Sequence, residues 1–177
     1  MRNLLSTKDQ RQLRLMETLI QNRNWMKLHE LAEKLGCTER ILKSDLNELR
    51  AAFPTIDIQS SVNGIMIDLE VNTSVEDVYQ YFLAHSQSFQ LLEYLFFNEG
   101  LPIYRTIENL HSSNANLYRL GRNITKTLST QFQIELSFTP SEIRGNEIDI
   151  RYFFAQYFSE RYYFLDWPFP DLPEEDL

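Results

Sequence analysis

The sequence predicts a mainly α-helical fold with small β-wings: two tandem winged helix-turn-helix domains joined by a connector helix, then a C-terminal aromatic helix. Three observations carry that prediction. Two apolar stripes at helical spacing flank a short turn between Leu28 and Leu49, an alternating stretch containing Asn63-Gly64 follows directly, and the pattern returns at an offset of 75 residues.

The first motif is LHELAEKLGCTERILKSDLNEL, residues 28–49. Leu28, Leu31, Ala32 and Leu35 make one stripe, and Leu42, Leu46 and Leu49 make the stripe that faces it. Gly36 supplies the left-handed residue that ends the first helix, Cys37 completes the turn, and the Thr38 hydroxyl is placed to cap the second helix. Burying the seam turns Glu39, Arg40, Ile41, Lys43, Ser44 and Asn47 outward, which is the layout of a helix that reads the major groove of DNA. A helical hairpin inside any core can show two facing stripes, so the next stretch matters. After Phe53-Pro54 the period changes to two: Ile56 and Ile58 alternate with polar residues, Asn63-Gly64 offers a tight turn, and Ile65, Ile67 and Leu69 alternate again. A hairpin placed directly after a reading helix is a wing.

Composition bounds the function. The chain has 177 residues, a 43% hydrophobic fraction and a 24% charged fraction, as an ordinary globular protein does. It has no apolar run of about 18 residues and no signal-peptide core at its start, so no membrane partner and a cytoplasmic location are expected. The single cysteine, Cys37, and the scattered His29, His85 and His111 offer no metal-ligand spacing, and no cofactor is expected. The net charge of −8 is unevenly spread. Residues 1–53 carry ten basic and seven acidic side chains, residues 54–104 none and seven, residues 105–128 four and one, and residues 129–177 three and ten. Positive charge therefore collects in the two helix-turn-helix stretches, where local potential would steer a polyanion.

In chain order, Thr7 to Gln10 has the form of a capping box, and Leu13, Met16, Leu19 and Ile20 form the stripe of a helix ending near Asn22. Trp25 and Met26 are expected to open the second helix, and the wing closes near Leu69. Thr73 to Glu76 repeats the capping-box pattern ahead of a connector helix with Val75, Val78, Tyr79, Phe82 and Leu83, interrupted at Ser86 to Ser88. The repeat then begins. Met16, Leu19 and Ile20 map onto Leu91, Tyr94 and Leu95; Leu28, Ala32 and Leu35 onto Ile103, Ile107 and Leu110; Thr38 onto Ser113; Leu42 and Leu49 onto Leu117 and Ile124. Leu31 becomes Thr106 and Leu46 becomes Gly121, so the second stripe is thinner, to be closed by Leu120 or by close backbone approach at the glycine. Its outward face is Asn114, Asn116, Tyr118, Arg119, Arg122 and Lys126.

A second wing is predicted from Phe132, Ile134 and Leu136, with Pro140 and Ser141 in its loop and Glu142 to Arg144 returning. Asn146 would cap a last helix to Tyr163 with the stripe Ile150, Phe153, Phe154, Tyr157 and Phe158. The aromatic area around Tyr152, Phe154, Phe158, Tyr162, Phe164 and Trp167 exceeds what a small domain covers, which predicts an interaction surface for a homodimer or for downstream regulatory domains. The expected boundaries are 1–72 for the first domain, 73–87 for the connector, 88–146 for the second domain, 147–165 for the aromatic helix, and 166–177 for an acidic, proline-rich tail or linker.

HELAEKLGCTERILKSDLNEL with its wing, ENLHSSNANLYRLGRNITKTL and, most specifically, IRGNEIDIRYFFAQYF resemble the amino-terminal half of the Mga, RofA and AtxA group of Gram-positive transcription regulators. The resemblance covers roughly Leu13 to Tyr163. It implies two winged helix-turn-helix domains that bind DNA, followed in such proteins by two domains phosphorylated on histidine by the sugar phosphotransferase system and a domain resembling an EIIB component. This chain stops before those domains, so the resemblance implies either the DNA-binding portion of a longer, phosphotransferase-linked regulator or a short variant.

No glycine-rich phosphate loop and no Ser, His and acid set in an elbow is present, which argues against an enzyme; His111 beside Ser112 falls at a helix end. The rival reading is a winged-helix protein-protein scaffold that does not read DNA, since fold alone does not fix function. Basic, amide-rich outward faces in both copies favour double-stranded DNA as the partner. Arg40, Lys43, Ser44 and Asn47 are the expected base and phosphate contacts in the first copy, Ile41 meets a thymine methyl, and Glu39 lies on the same face. Thr38 and Ser113 would set helix N-termini against phosphate, while Ser60, Ser61 and Asn63 touch the adjacent backbone from the wing. Asn114, Asn116, Tyr118, Arg119, Arg122 and Lys126 take the matching roles in the second copy.

Overall fold

Apolar residues at helical spacing, followed by short alternating runs, fold as the periods require: the protein is mainly helical with two small antiparallel β-hairpins. The computed structural model describes residues 1–68, 74–162 and 169. Two units divide the chain, Thr7–Tyr81 on one side and Met1–Ser6 with Phe82–Leu177 on the other. Leu69, Thr73, Tyr163, Phe164, Trp167 and nearly all of the acidic tail lie outside the described residues.

In the first unit α1 (Thr7–Asn22) buries Leu13, Leu15, Met16, Leu19 and Ile20 against α2 (Leu28–Leu35) and the hairpin. Thr7 is already helical, so it is not the cap that its spacing suggested. Gly36 adopts φ 64° and closes α2 through two backbone bonds, its own N–H donating to Glu33 and that of Cys37 to Ala32. Thr38 then caps α3 (Glu39–Ala52), its Oγ1 accepting from the Ile41 N–H at 3.3 Å. Leu31, Ala32 and Leu35 meet Leu42, Leu46 and Leu49 in a dry seam.

Asp45, on the side of α3 that meets α1, is the polar exception in this core. It sits on the buried side of α3 at 2% exposure, where a carboxylate persists only if paired. Arg11 Nε and Nη2 donate to its two oxygens at 2.6 and 3.1 Å, and Gln12 Nε2 donates to Oδ1 at 3.0 Å and to Glu48 at 3.0 Å. Lys8 completes the cluster on Glu48. The Asp45 bond holds the Arg11 guanidinium above its ordinary pKa, and the bonds from Lys8 and Gln12 pull that of Glu48 down.

β1 (Asp57–Ser61) pairs with β2 (Gly64–Asp68) in antiparallel register, Ser61 facing Gly64, so Val62 and Asn63 form the two-residue tip. The turn is thus one residue earlier than Asn63-Gly64 suggested, and Asn63 is not at positive φ. Gly64 does take a positive φ, 124°, and it is required for a second reason: a Cβ there would lie 2.0 Å from the Met26 carbonyl oxygen. Met26 is not the start of α2 but a bridge residue, exchanging backbone bonds of 2.9 and 2.8 Å with Ile65. Trp25 is exposed beside it. The second capping box also sits one residue later than expected. Ser74 and Asp77 cap each other's backbone reciprocally at the start of α4 (Val75–His85).

The second unit repeats the design. α5 (Gln87–Phe97), α6 (Ile103–Asn109) and α7 (Asn114–Ser129) correspond to α1, α2 and α3, and β3 (Glu135–Phe138) pairs with β4 (Ser141–Arg144). The turn repeats bond for bond at the offset of 75: the His111 N–H donates to Glu108, that of Ser112 to Ile107, and that of Asn116 to Ser113 Oγ. His111 fills the place of Gly36 at φ 46°, a left-handed conformation that costs a residue with a Cβ about 1–2 kcal/mol. The ring of Phe138, rather than Leu120 or a neighbouring backbone, closes the seam at Gly121, where a Cβ would lie 2.4 Å from it. Thr106, at the place of Leu31, is fully buried near Ser141. Ser141 belongs to β4 and not to the loop, and its backbone pairs with Gly100 and Leu101 as Ile65 pairs with Met26.

Asn146 caps α8 (Glu147–Tyr162), its Oδ1 accepting from the Ile148 N–H at 2.9 Å. Phe153, Phe154, Tyr157 and Phe158 are buried in this unit; Tyr157 Oη donates to the Phe89 carbonyl at 2.8 Å. Glu93 accepts from Tyr162 Oη at 2.7 Å and lies 3.0 Å from Tyr157 Oη, sharing that proton with the Phe89 carbonyl. Leu4 and Leu5 are buried as well, and the N-terminal amine reaches Glu160 at 3.2 Å.

Two outcomes follow for stability. Asp45→Asn keeps the shape but withdraws charge from Arg11 and leaves an amide to satisfy, so urea unfolding followed by circular dichroism should show a loss of about 1.5–3 kcal/mol. His111→Gly should stabilise the second unit by up to about 1 kcal/mol, and Gly36→His should destabilise the first by a similar amount. Equal effects of either sign at both positions would mean that the left-handed turn is not the controlling term.

Candidate nucleic-acid interface

α3 presents what its seam leaves over. Glu39, Arg40, Ile41, Lys43, Ser44 and Asn47 are all exposed, with Ile41 at 40%, and Thr38 is exposed at the cap. Arg40, Lys43, Ser44 and Asn47 recur at three- and four-residue spacing and so share one face. No ion pair among the described residues holds Arg40 or Lys43. The neighbouring hairpin exposes Ser60, Ser61 and Asn63, with Ser61 Oγ accepting from the Asn63 N–H at 3.0 Å.

The spacing argument missed Arg50. It lies one turn beyond Asn47 and joins helix to hairpin: Nε donates to the Ile58 carbonyl at 3.0 Å, Nη1 to Asn47 Oδ1 at 3.3 Å, and Nη2 to Ser60 Oγ. Lys27 Nζ donates to the Val62 carbonyl at 3.0 Å, holding the hairpin tip. Two of the residues singled out for contact, Asn47 and Ser60, are thus fixed by a third.

On α7 the exposed residues are Ser113, Asn114, Tyr118, Arg119, Arg122 and Lys126, while Asn116 is half-buried. Asn116 is oriented from both sides, its Nδ2 donating to Ser112 Oγ at 2.9 Å and its Oδ1 accepting from Arg119 at 2.7 Å. Tyr118 packs edge-on against Phe138 with ring centres 5.2 Å apart. The joint between α7 and its hairpin is made by Thr125, whose Oγ1 accepts from the Leu136 N–H at 2.9 Å.

The aromatic helix divides differently from its expected interaction face. Phe154 and Phe158, at 3% and 9% exposure, are core residues of their own unit, because Phe96 and Phe97 of α5 lie over them. Tyr162 is half-buried on Glu93, and among the described residues of α8 only Ile148 and Tyr152 remain as strongly exposed large apolar side chains. Cys37 is half-buried in its turn, and no cluster able to hold a metal ion occurs among the described residues. No described helix is long and apolar enough to cross a membrane.

Comparison with known proteins matches these two places in the chain. Residues 6–65 match the model of the M protein trans-acting positive regulator (MGA) helix-turn-helix domain, and residues 71–158 match the Mga helix-turn-helix domain. A Streptococcus pneumoniae serotype 4 protein described as a trans-acting regulator is 49% identical over the whole chain, which covers 36% of that protein. The capsule synthesis positive regulator AcpA of Bacillus anthracis is 27% identical over 94% of the chain, covering 35% of its own length. The chain thus spans about a third of the length of these curated relatives. With a helix-turn-helix match on each unit, the chain belongs to the Mga family.

Proposed function

We propose that the protein is a sequence-specific, DNA-binding transcription regulator whose two units are winged helix-turn-helix domains, acting in the cytoplasm as the DNA-binding portion of a larger regulator. One observation carries the reading. In both units the second helix of the motif is capped, its apolar face is spent on the seam, and its outward face offers cations and amides of the kinds that meet phosphates and base edges. A pure scaffold has no need for that chemistry twice at matching positions. The helix N-termini at Thr38 and Ser113 add a favourable end for phosphate. The relatives described as regulators agree with this assignment. A second copy of the chain, meeting through Ile148 and Tyr152, or a further regulatory domain would account for the exposed end of α8.

Binding of labelled promoter fragments, titrated at several salt concentrations against a scrambled duplex, tests the reading. Arg40→Ala should cost about 1–3 kcal/mol on the preferred fragment and relax preference at one position, as loss of a base contact does. Lys43→Ala should weaken all duplexes alike and lower the salt slope by about 1, as loss of a phosphate contact does. Folded wild-type protein with neither salt-dependent binding nor preference, even when dimerised artificially, would leave the scaffold reading in its place.

A further inference from the structure

The two units build the joint between reading helix and hairpin with different side chains at equivalent positions. In the first unit Arg50 fills it, its guanidinium spanning Asn47, Ser60 and the Ile58 carbonyl. In the second unit the offset of 75 places Thr125 there, which makes one bond to the Leu136 N–H and stops. A short side chain in place of a long one leaves space. An open cavity of about 470 Å³ lies between α7 and the β3–β4 hairpin, with Thr125 in its wall. Arg122, Lys126 and Arg144 line it, against one carboxylate, Glu135. Glu142 binds the Nε edge of Arg144 from outside that lining. The hydroxyl-bearing Tyr118 and Ser137 complete the polar wall.

We propose that this groove is a seat for a backbone phosphate of duplex DNA, and that the same joint in the first unit is closed to phosphate because Arg50 occupies it. The inference rests on the DNA reading above. When α7 enters a major groove, the sugar-phosphate ridge bordering that groove must pass between helix and hairpin, where an excess of cations and hydroxyl donors meets it. Each phosphate neutralised there releases condensed counterions and so contributes about 0.9 to the salt slope. Arg50, with its donors already turned toward protein acceptors, contributes none.

The test is the salt dependence of binding of the whole chain to a fluorescein-labelled mixed-sequence duplex, with circular dichroism confirming that each variant is folded. Arg122→Gln and Arg144→Gln should each lower the slope by about 1, and Arg144→Lys should restore it. Arg50→Gln should leave the slope unchanged, although it weakens binding by freeing Asn47 and Ser60. So should Arg151→Gln, which removes an exposed cation paired with Glu147 on α8. An unchanged slope for folded Arg122→Gln and Arg144→Gln, in a protein that otherwise binds with salt dependence, overturns the groove assignment and leaves the DNA reading standing. A fall of about 1 for Arg50→Gln overturns the contrast between the two joints. A wild type that shows no salt-dependent binding overturns both the groove and the reading on which it rests.

Discussion

The turn between the second and third helices of each unit is the constraint on which the rest depends. A left-handed residue, Gly36 or His111, reverses the chain, two backbone bonds close the helix behind it, and a hydroxyl two residues later opens the helix ahead. With both ends satisfied in so few residues, the local backbone geometry limits how the two helices can cross. The apolar seam confirms that crossing, and everything on the opposite side of the third helix becomes surface. Outward cations in this protein are therefore a product of the turn as much as of the composition of the helix.

Much of this was legible in the sequence because it depends on residues near one another in the chain. Gly36, Thr38 and Ser113 announce their roles by type and position, and the alternation around Ile58 and Ile67 fixes which strand faces are buried. What escaped depends on distance. Asp45 looks like any polar residue of an amphipathic helix until Arg11 and Gln12, more than thirty residues earlier, are brought to it. Met26 read as the start of a helix because its pairing partner, Ile65, comes only after the hairpin turn. Phe154 and Phe158 read as an uncovered face because the rings that cover them belong to α5.

The candidate interface was legible to a similar degree and for the same reason. The outward residues of α3 and α7 follow from periodicity, and the structure leaves nearly all of them exposed. Periodicity is silent on how such residues are held. Arg50 fixes Asn47 and Ser60, and Arg119 with Ser112 fixes Asn116, so the amides are oriented before any partner arrives. Preorganisation of that kind lowers the ordering cost of a contact and sharpens discrimination between partners. The Mga family match places these details within a regulator lineage; the particular side chains at the joints, arginine in one unit and threonine in the other, are what distinguish its two halves.

Each hairpin is also stitched beside its tip to the segment that leads into the second helix, Met26 to Ile65 in one unit and Gly100 and Leu101 to Ser141 in the other. The stitch pins the tip end of each hairpin to the helical body, and Val62-Asn63 and Thr139-Pro140 are the residues between the last pairs. Residues added there would loop out between pinned ends, at a closure cost that grows slowly with loop length. Insertion at one tip and not the other would lengthen the reach of a single unit, so the two units could differ in span while keeping one architecture.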